Sequence, residues 1–240
     1  MLEHDIDPAY HAREASKSLA LVDVIKDNIS MPIDDVLVVG CGSGREAGLL
    51  ARGLQSKTVG IDIRGELSFD HIGSAPAKLI EMDARELQFP DGTFDFVFSF
   101  HALEHIPHPE KAIAEMARVL RSGGAYLVGT PNRHRLIGYM GAIGSIKDKI
   151  RWNFTDFKKR LKGEWRNEAG AHAGFTQREL FDLCSAAFGS NPISVSDQYY
   201  SKLYGRLATG LSLTQMDSIL LPCVYVMGKK ACASPPSPNC

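Results

Sequence analysis

The sequence predicts an α/β fold: a doubly wound, mostly parallel sheet of seven strands with helices on both faces and an inserted helical lid. Three observations predict this fold. A β-branched run over 36–39 ends in a loop with glycine at every second position. Apolar strands then alternate with helical segments, as in parallel sheets. The stretch from Asn132 to Gly174 is too long for an ordinary connection, so it is a lid or a small inserted subdomain.

The N-terminal residues, 1–33, are expected to form a helical cover. Apolar residues recur at steps of three and four between Tyr10 and Asn28, which predicts an amphipathic helix. This helix precedes the first strand and could lie over a ligand.

The first strand and its glycine loop predict a ligand site. Gly40, Gly42 and Gly44 allow a sharp turn and close approach of a ligand to bare backbone, before a helix that begins at Arg45. In such sheets, ligands bind outside the carboxyl ends of the strands. A dinucleotide fingerprint requires its third glycine at the position of Arg45. The loop therefore favours a nucleoside without phosphates, and a tight turn without any ligand is the alternative.

The second and third strands each end at an acid. Strand 57–62 ends in Asp62, about twenty residues after the loop, where a carboxylate binds ribose hydroxyls. The alternative is that Asp62 caps the following helix. Asp83 follows the third strand, 78–82, and the aromatic run 93–100 predicts the fourth strand.

The second half of the chain completes the sheet. We predict a helix over 109–120, a fifth strand over 125–129, and a helix over 176–188 that Thr176 and Glu179 begin with a capping box. The last strands are predicted around 193–200 and 219–227. The core then comprises 34–131 and 175–230, the lid 132–174, and a disordered, proline-rich tail 231–240.

Composition points to a soluble, cytoplasmic protein. The net charge is −1 and the five cysteines lack paired C-x-x-C spacing, which argues against a disulfide framework or a zinc site. The first seven residues carry acids where a signal peptide has basic and then apolar residues.

The segment 146–166 predicts a strongly basic amphipathic helix. Its apolar residues recur at steps of three and four, and its lysines and arginines outnumber its acids. Such a helix can lie in a membrane interface. Alternatively, the apolar stripe packs on the domain or on a second subunit.

Five motifs, in order and spacing, resemble the class I S-adenosylmethionine-dependent methyltransferases. They are V-L-V-V-G-C-G-S-G, V-G-I-D-I, M-D-A-R-E-L-Q-F-P-D-G-T-F-D-F-V-F-S, H-A-L-E-H-I and L-R-S-G-G-A-Y-L-V-G-T-P-N. H-A-L-E-H-I and the T-P-N turn are similar to the small-molecule branch that includes the quinone-biosynthesis O-methyltransferases. The resemblance covers 34–132 well and the last helix and strands more loosely.

The resemblance implies S-adenosylmethionine as cofactor and a role for each matching residue. Gly40, Gly42 and Gly44 would line its methionine portion, and Asp62 would bind both ribose hydroxyls. The adenine would lie beside Ile63, Asp83 and Ala84, with Asp83 accepting from its amino group and Phe100 or His101 closing the pocket. Asp83 alternatively only begins the loop before Pro90.

Methyl transfer to a hydroxyl requires a base besides alignment of the reacting atoms. His101, Glu104 and His105 follow the fourth strand at a spacing that places them on one face of a helical turn, and they are the candidate catalytic residues. In the quinone enzymes an E-x-x-E-H pattern here is a metal site. His101 replaces its first glutamate, so a metal stays a hypothesis beside a structural role. His172, which precedes the helix expected to border the pocket, is a second candidate base, with a structural role as the alternative.

We therefore predict methyl transfer to a small, apolar or lipid-like acceptor, at oxygen, with peripheral membrane contact through 146–166 and no specific nucleic acid. A nicotinamide-dependent oxidoreductase and a catalytically inactive cofactor-binding or scaffold protein of the same fold are the alternatives.

Overall fold

A seven-stranded sheet forms the centre of the computed structural model, which describes residues 8–63, 77–139, 144–205 and 217–232. The strands are β1 Asp35–Val39, β2 Lys57–Asp62, β3 Ala77–Glu81, β4 Phe94–Phe100, β5 Leu120–Pro131, β6 Ile193–Ser194 and β7 Cys223–Lys229. Their order is β3-β2-β1-β4-β5-β7-β6. The first five strands pair in parallel, and β7 pairs antiparallel with β5 and β6. The predicted doubly wound, mostly parallel sheet is confirmed.

Helices cover both faces of this sheet. They are α1 Pro8–Asn28, α2 Arg45–Leu54, α3 Pro109–Val119, α4 Ile146–Leu161, α5 Gln177–Phe188, α6 Ser196–Tyr204 and α7 Asp217–Leu220. Successive residues of β1 point to opposite faces. Leu37 and Val39 pack with α3 and α5, whereas Val36 and Val38 pack with α1, α2 and α6. Burial on both faces explains why β1 is a continuous apolar run.

The predicted capping box of α5 is confirmed. The Thr176 hydroxyl accepts from the N–H of Glu179, and the Glu179 carboxylate accepts from the N–H of Thr176. Helix α4 has the same arrangement between Ser145 and Asp148 and ends at Leu161, before the end of the predicted basic segment.

The strand predicted over 193–200 is wrong beyond Ser194, because the chain continues as helix α6. The Ser196 hydroxyl accepts from the N–H of Tyr225 at 2.9 Å, and Tyr199 and Tyr200 are buried against β7. A pair of tyrosines favours a strand by propensity, but tertiary packing decides the outcome. The last strand also begins later than predicted, at Cys223, since residues 217–220 form α7.

Parts of four predicted segments lie outside the described residues. They are 1–7 of the N-terminal cover, 64–76 and 206–216 of the core, 140–143 of the insertion and 233–240 of the tail. Among the described helices, none combines the length and the apolar character needed to cross a membrane.

Candidate active site

The glycine loop after β1 is fixed against the end of β2. The N–H groups of Gly40 and Cys41 both donate to the carbonyl of Ile61, at 2.9 and 3.0 Å. Gly40 has a φ of +73°, and a Cβ there would lie 2.2 Å from the Cβ of Ala102. Both the backbone conformation and the close approach therefore require glycine at this position.

Asp62 ties the loop to the end of β2. Its Oδ2 accepts from the N–H of Gly42 at 2.7 Å, and its Oδ1 accepts from the N–H of Ile63 at 2.8 Å. A carboxylate that receives two backbone donors is held in one orientation.

A cavity of about 700 Å³, the glycine-loop cavity, opens at this edge of the sheet. Six of the residues predicted to hold a cofactor line it: Gly40, Gly42, Asp62, Ile63, Asp83 and Ala84. The other two predicted residues lie elsewhere. Gly44 precedes α2 as its N-cap with a φ of +77°, and Phe100 lines a second cavity.

The carboxylate of Asp83 is paired within its own loop. It accepts from the backbone N–H of Arg85 at 2.8 Å and from the guanidinium at 2.6 Å. These hydrogen bonds lower the pKa of Asp83, so the glycine-loop cavity has a charged carboxylate at this wall. A role with adenine stays a prediction.

The second cavity, of about 460 Å³, has a largely aromatic wall. We call it the aromatic cavity, and its rings come from the end of β4, from α6, from β7 and from the segment after β5: Phe100, Tyr139, Tyr199, Tyr200, Tyr204 and Tyr225. Burial raises the pKa of both Tyr200 and Tyr225, so these phenols stay neutral.

Sequence reasoning missed the tyrosines of α6 because it placed them in a strand. The signal was present, since Tyr200 and Tyr204 are spaced i and i+4, as on one face of a helix. Their rings stack with centroids 6.1 Å apart.

Two of the predicted catalytic residues, His101 and His105, line both cavities and therefore lie where they adjoin. The third, Glu104, lies between them in a 3₁₀ turn, Leu103–His105. Its Oε1 is 3.4 Å from Nδ1 of His101 and 3.9 Å from Nε2 of His105. The Glu104 side chain is only 1 % exposed, and its Oε2 has no hydrogen-bond partner among the described residues. The structure thus brings the three predicted side chains together, with one buried carboxylate oxygen of Glu104 that has no hydrogen-bond partner among the described residues.

The histidines around Glu104 differ in charge. Burial lowers the pKa of His101, but the nearby Cys223 and Glu104 raise it more, to about 10. His101 is therefore an imidazolium at neutral pH. His172 lies in the aromatic cavity with its ring 4.6 Å from that of His105, and burial together with His105 lowers its pKa. A neutral imidazole can accept a proton, whereas an imidazolium cannot.

Backbone strain is concentrated at the aromatic cavity. His101, Tyr139 and His172 line it and have positive φ values of 52°, 60° and 47°. Residues other than glycine adopt this region at a cost and persist there where the surrounding structure holds them. For His172 the holding contact is Arg135, whose buried guanidinium donates to the His172 carbonyl at 3.1 Å.

The metal hypothesis finds no support in the described part of the chain, where no group of three or more His, Cys, Asp or Glu side chains is arranged to hold an ion. Both histidine nitrogens near Glu104 approach the same oxygen atom.

Comparison with known proteins matches the strand and loop motifs to one family. The family model described as a methyltransferase domain matches residues 37–128. The chain is 39% identical over 156 residues to the phosphatidylethanolamine N-methyltransferase of Cereibacter sphaeroides, covering 61% of this chain and 76% of that protein.

Two further comparisons concern shorter or more distant similarity. A probable S-adenosylmethionine-dependent methyltransferase of Mycolicibacterium smegmatis is 38% identical over 104 residues, which cover 41% of this chain and 38% of that relative. Among solved structures, the YcgJ protein of Bacillus subtilis has a TM-score of 0.54 at 19% identity, over 90% of this chain and 99% of that one. At that identity the likeness concerns the fold.

Proposed function

The chain belongs to the class I S-adenosylmethionine-dependent methyltransferases, and we propose that it methylates the amine of a lipid-like acceptor at a membrane surface. S-adenosylmethionine is the cofactor, and the glycine-loop cavity fits it: Gly40 presents bare backbone, and Asp62 presents a carboxylate held by the loop. The cofactor supplies a methyl group on a sulfonium that departs as a neutral sulfide. Binding the acceptor, aligning it and taking its proton then depend on the chain.

The aromatic cavity beside the glycine-loop cavity is our site for the acceptor. Ring faces attract an ammonium group, and aromatic cages bind methylated amines. The wall also contains Glu104, whose Oε2 is buried without a hydrogen-bond partner among the described residues. A buried carboxylate oxygen without a partner is costly, and an N–H donor from the acceptor would remove that cost. This oxygen beside an aromatic wall is the observation that carries the proposal.

We assign to His172 the role of the base that takes the proton of the acceptor. A nitrogen attacks as a free lone pair, so an ammonium acceptor must first lose a proton. His172 lies in the aromatic cavity with a lowered pKa, whereas the raised pKa of His101 keeps that side chain protonated. His105 lies between the cavities and contacts His172, so we assign it to alignment of the acceptor.

Helix α4 is our membrane-contacting surface. At 100° per residue its exposed apolar side chains lie within an arc of about 80°. Each is 53–78% exposed, and together they form the α4 stripe: Ile146, Ile150, Phe154, Phe157 and Leu161. The helix carries six lysines and arginines against two acids. Cations beside an exposed apolar stripe suit an anionic lipid surface, where each cation contributes about 1 kcal/mol.

The inner face of α4 contacts residues of the aromatic cavity. Asp156 accepts from the hydroxyl of Tyr139 at 3.0 Å and lies 3.7 Å from Arg135. Arg135 in turn holds the backbone of His172. The α4 stripe lies about 120° around the helix from Asp156, so a lipid surface under the stripe would be separated from the acceptor cavity by the width of one helix, about 10 Å. The name of the Cereibacter relative, a phosphatidylethanolamine N-methyltransferase, agrees with an amine on a lipid headgroup.

The test is methyl transfer from labelled S-adenosylmethionine to vesicles of phosphatidylethanolamine and phosphatidylglycerol. We expect N-methylated lipid as product, and Glu104→Gln should lower kcat/KM on the order of tenfold or more through the lost charged hydrogen bond. Phe157→Asp should weaken vesicle binding on the order of tenfold, since a side chain that inserts into the interface becomes charged. Ile193→Asp is the matched control, because Ile193 is 50% exposed on β6, outside the α4 stripe.

A second candidate is methylation at oxygen, and the neutral His172 in the aromatic cavity favours it, because a hydroxyl acceptor also needs a base. A dihydroxybenzene acceptor in the same assay separates the two candidates. Turnover of the phenol and not of the lipid would overturn the amine proposal. Cofactor binding without turnover of either acceptor would favour the scaffold alternative, and equal vesicle binding by both aspartate variants would overturn the membrane surface.

A further inference from the structure

Cys223 lies in the aromatic cavity as the first residue of β7, and its sulfur contacts His101. The Sγ of Cys223 is 3.2 Å from Nε2 of His101, and Nδ1 of the same ring is 3.4 Å from Oε1 of Glu104. A thiol, an imidazole and a carboxylate therefore stand in series. This is the order by which a nucleophile is activated by a base that a third group orients.

The backbone holds both ends of this series. The N–H of His101 donates to the carbonyl of Gly129 at 2.9 Å, although the residue has a positive φ of 52°. The N–H of Cys223 donates to the hydroxyl of Tyr200 at 2.9 Å, and Cys223 is paired with Pro131 across β5 and β7. Because β5 pairs with both β4 and β7, the sheet fixes the position of each partner.

The other described cysteines lack this combination of access and a basic neighbour. Cys41 and Cys184 are buried, and burial raises the pKa of each thiol to about 12. Cys232 is exposed near the end of the described chain. Cys223 is partly exposed within a cavity, and its sulfur lies 3.2 Å from Nε2 of His101. An imidazolium at this distance stabilises a thiolate, which is the reactive form of cysteine.

We propose that Cys223 is an activated thiol, a modification site for small electrophiles and hydroperoxides that enter the aromatic cavity, and that its modification blocks the acceptor while the cofactor still binds. With a hydroperoxide, the thiolate attacks one oxygen and the O–O bond breaks. The sulfur is oxidised to a sulfenic acid and the peroxide is reduced, its departing oxygen taking the proton of His101 to leave as water or an alcohol. The added oxygen occupies the aromatic cavity. The glycine-loop cavity is unaffected because Cys223 does not line it.

Reaction with iodoacetamide at pH 7, measured for each cysteine by peptide mass spectrometry on the full chain, tests the activation. The carbon–iodine bond breaks, iodide leaves and a thioether forms. We expect Cys223 to react about tenfold faster than Cys232, because the His101 imidazole lies beside the Cys223 sulfur and the thiolate is the form of cysteine that attacks. His101→Gln should reduce the rate at Cys223 to that at Cys232 and leave the rate at Cys232 unchanged.

Hydrogen peroxide tests the consequence. We expect a sulfenic acid at Cys223, trapped by dimedone, with loss of methylation that dithiothreitol restores. The Kd for S-adenosylhomocysteine should stay within twofold of that of the untreated protein. In Cys223→Ser, activity relative to the same untreated variant should survive peroxide.

Each measurement has an outcome that overturns the inference. A Cys223 rate at or below that of Cys232, or a rate unchanged by His101→Gln, would show that the thiol is not activated. If peroxide weakened the binding of S-adenosylhomocysteine as much as it lowers methylation, modification would not be confined to the acceptor side. The alkylation rates require no acceptor, so they stand whether or not the proposed amine substrate is right.

Discussion

Asp62→Asn separates the two interpretations of the acid after β2. If Asp62 only caps a helix, asparagine replaces it at little cost, because the two residues are about equally good N-caps. If the carboxylate holds the loop and the cofactor, the amide nitrogen of asparagine faces a donor where the second carboxylate oxygen was. The substitution therefore changes hydrogen bonding while it preserves size.

The contacts of Asp62 set the expected magnitude. Its two oxygens receive backbone donors from Gly42 and Ile63 at 2.7 and 2.8 Å. Asparagine loses one of these charged hydrogen bonds, at a cost of about 2 kcal/mol. For a chain of this size that lowers Tm by roughly 4–8 °C. A similar loss at the ribose hydroxyls corresponds to about a 30-fold rise in Kd for S-adenosylhomocysteine.

Calorimetric titration with S-adenosylhomocysteine and a thermal melt give the two values on the same sample. Asp182→Asn is the matched control, because Asp182 is 77% exposed on α5, away from the glycine-loop cavity. It should change the free energy of unfolding by less than about 0.5 kcal/mol and leave Kd unchanged. An Asp62→Asn variant with the Kd and Tm of the parent would refute the ribose role and favour the helix cap.

Two other predictions test the segment that carries His172. Gly174→Ala should lower the free energy of unfolding by about 2 kcal/mol more than Gly170→Ala in chemical denaturation, since overpacking is added to the same backbone strain. The φ values of Gly174 and Gly170 are similar, +76° and +63°. A Cβ at 174 would lie 1.8 Å from the Pro131 oxygen, whereas one at 170 would have nothing within 4 Å. Equal losses in the free energy of unfolding would contradict this geometry. For His172→Gln we expect kcat to fall about 100-fold. The lowered pKa of His172 also predicts that the parent's kcat declines only below pH 6.5, as the imidazole gains a proton, and the same decline in the variant would exclude His172 as the base.

The parts of the site that depend on local backbone chemistry could be predicted from the sequence. Glycine at positions 40 and 42 predicts positive φ values, and both residues have positive φ values in the structure. The continuous apolar run of β1 predicts a strand that is buried on both faces of the sheet. Asp62 follows a strand at the edge where ligands bind, so its place beside the loop follows from the topology. Each of these signals lies within a few residues of the group that it predicts.

The aromatic cavity could not be predicted in the same way, because contacts distant in sequence create it. His101 and Cys223 are 122 residues apart. The tyrosines of α6 favour a strand by propensity, and only the fit of that segment against β7 makes it a helix. The charge of His101 likewise depends on a sulfur that reaches it through the antiparallel pairing of β5 and β7.

The opposite pKa shifts of His101 and His172 indicate a division of roles within one cavity. Where the environments of two titratable groups separate their pKa values, the groups carry different proton tasks. The Cys223 sulfur and the Glu104 carboxylate beside His101 raise its pKa, whereas burial and the neighbouring His105 lower the pKa of His172. Two single substitutions test the division. His172→Gln should abolish the decline of kcat at low pH without changing the alkylation rate of Cys223. His101→Gln should slow the alkylation of Cys223 and leave the midpoint of the decline in kcat below pH 6.5. If either substitution moved both measurements, the two histidines would titrate as one coupled pair and the assignment of separate roles would be wrong.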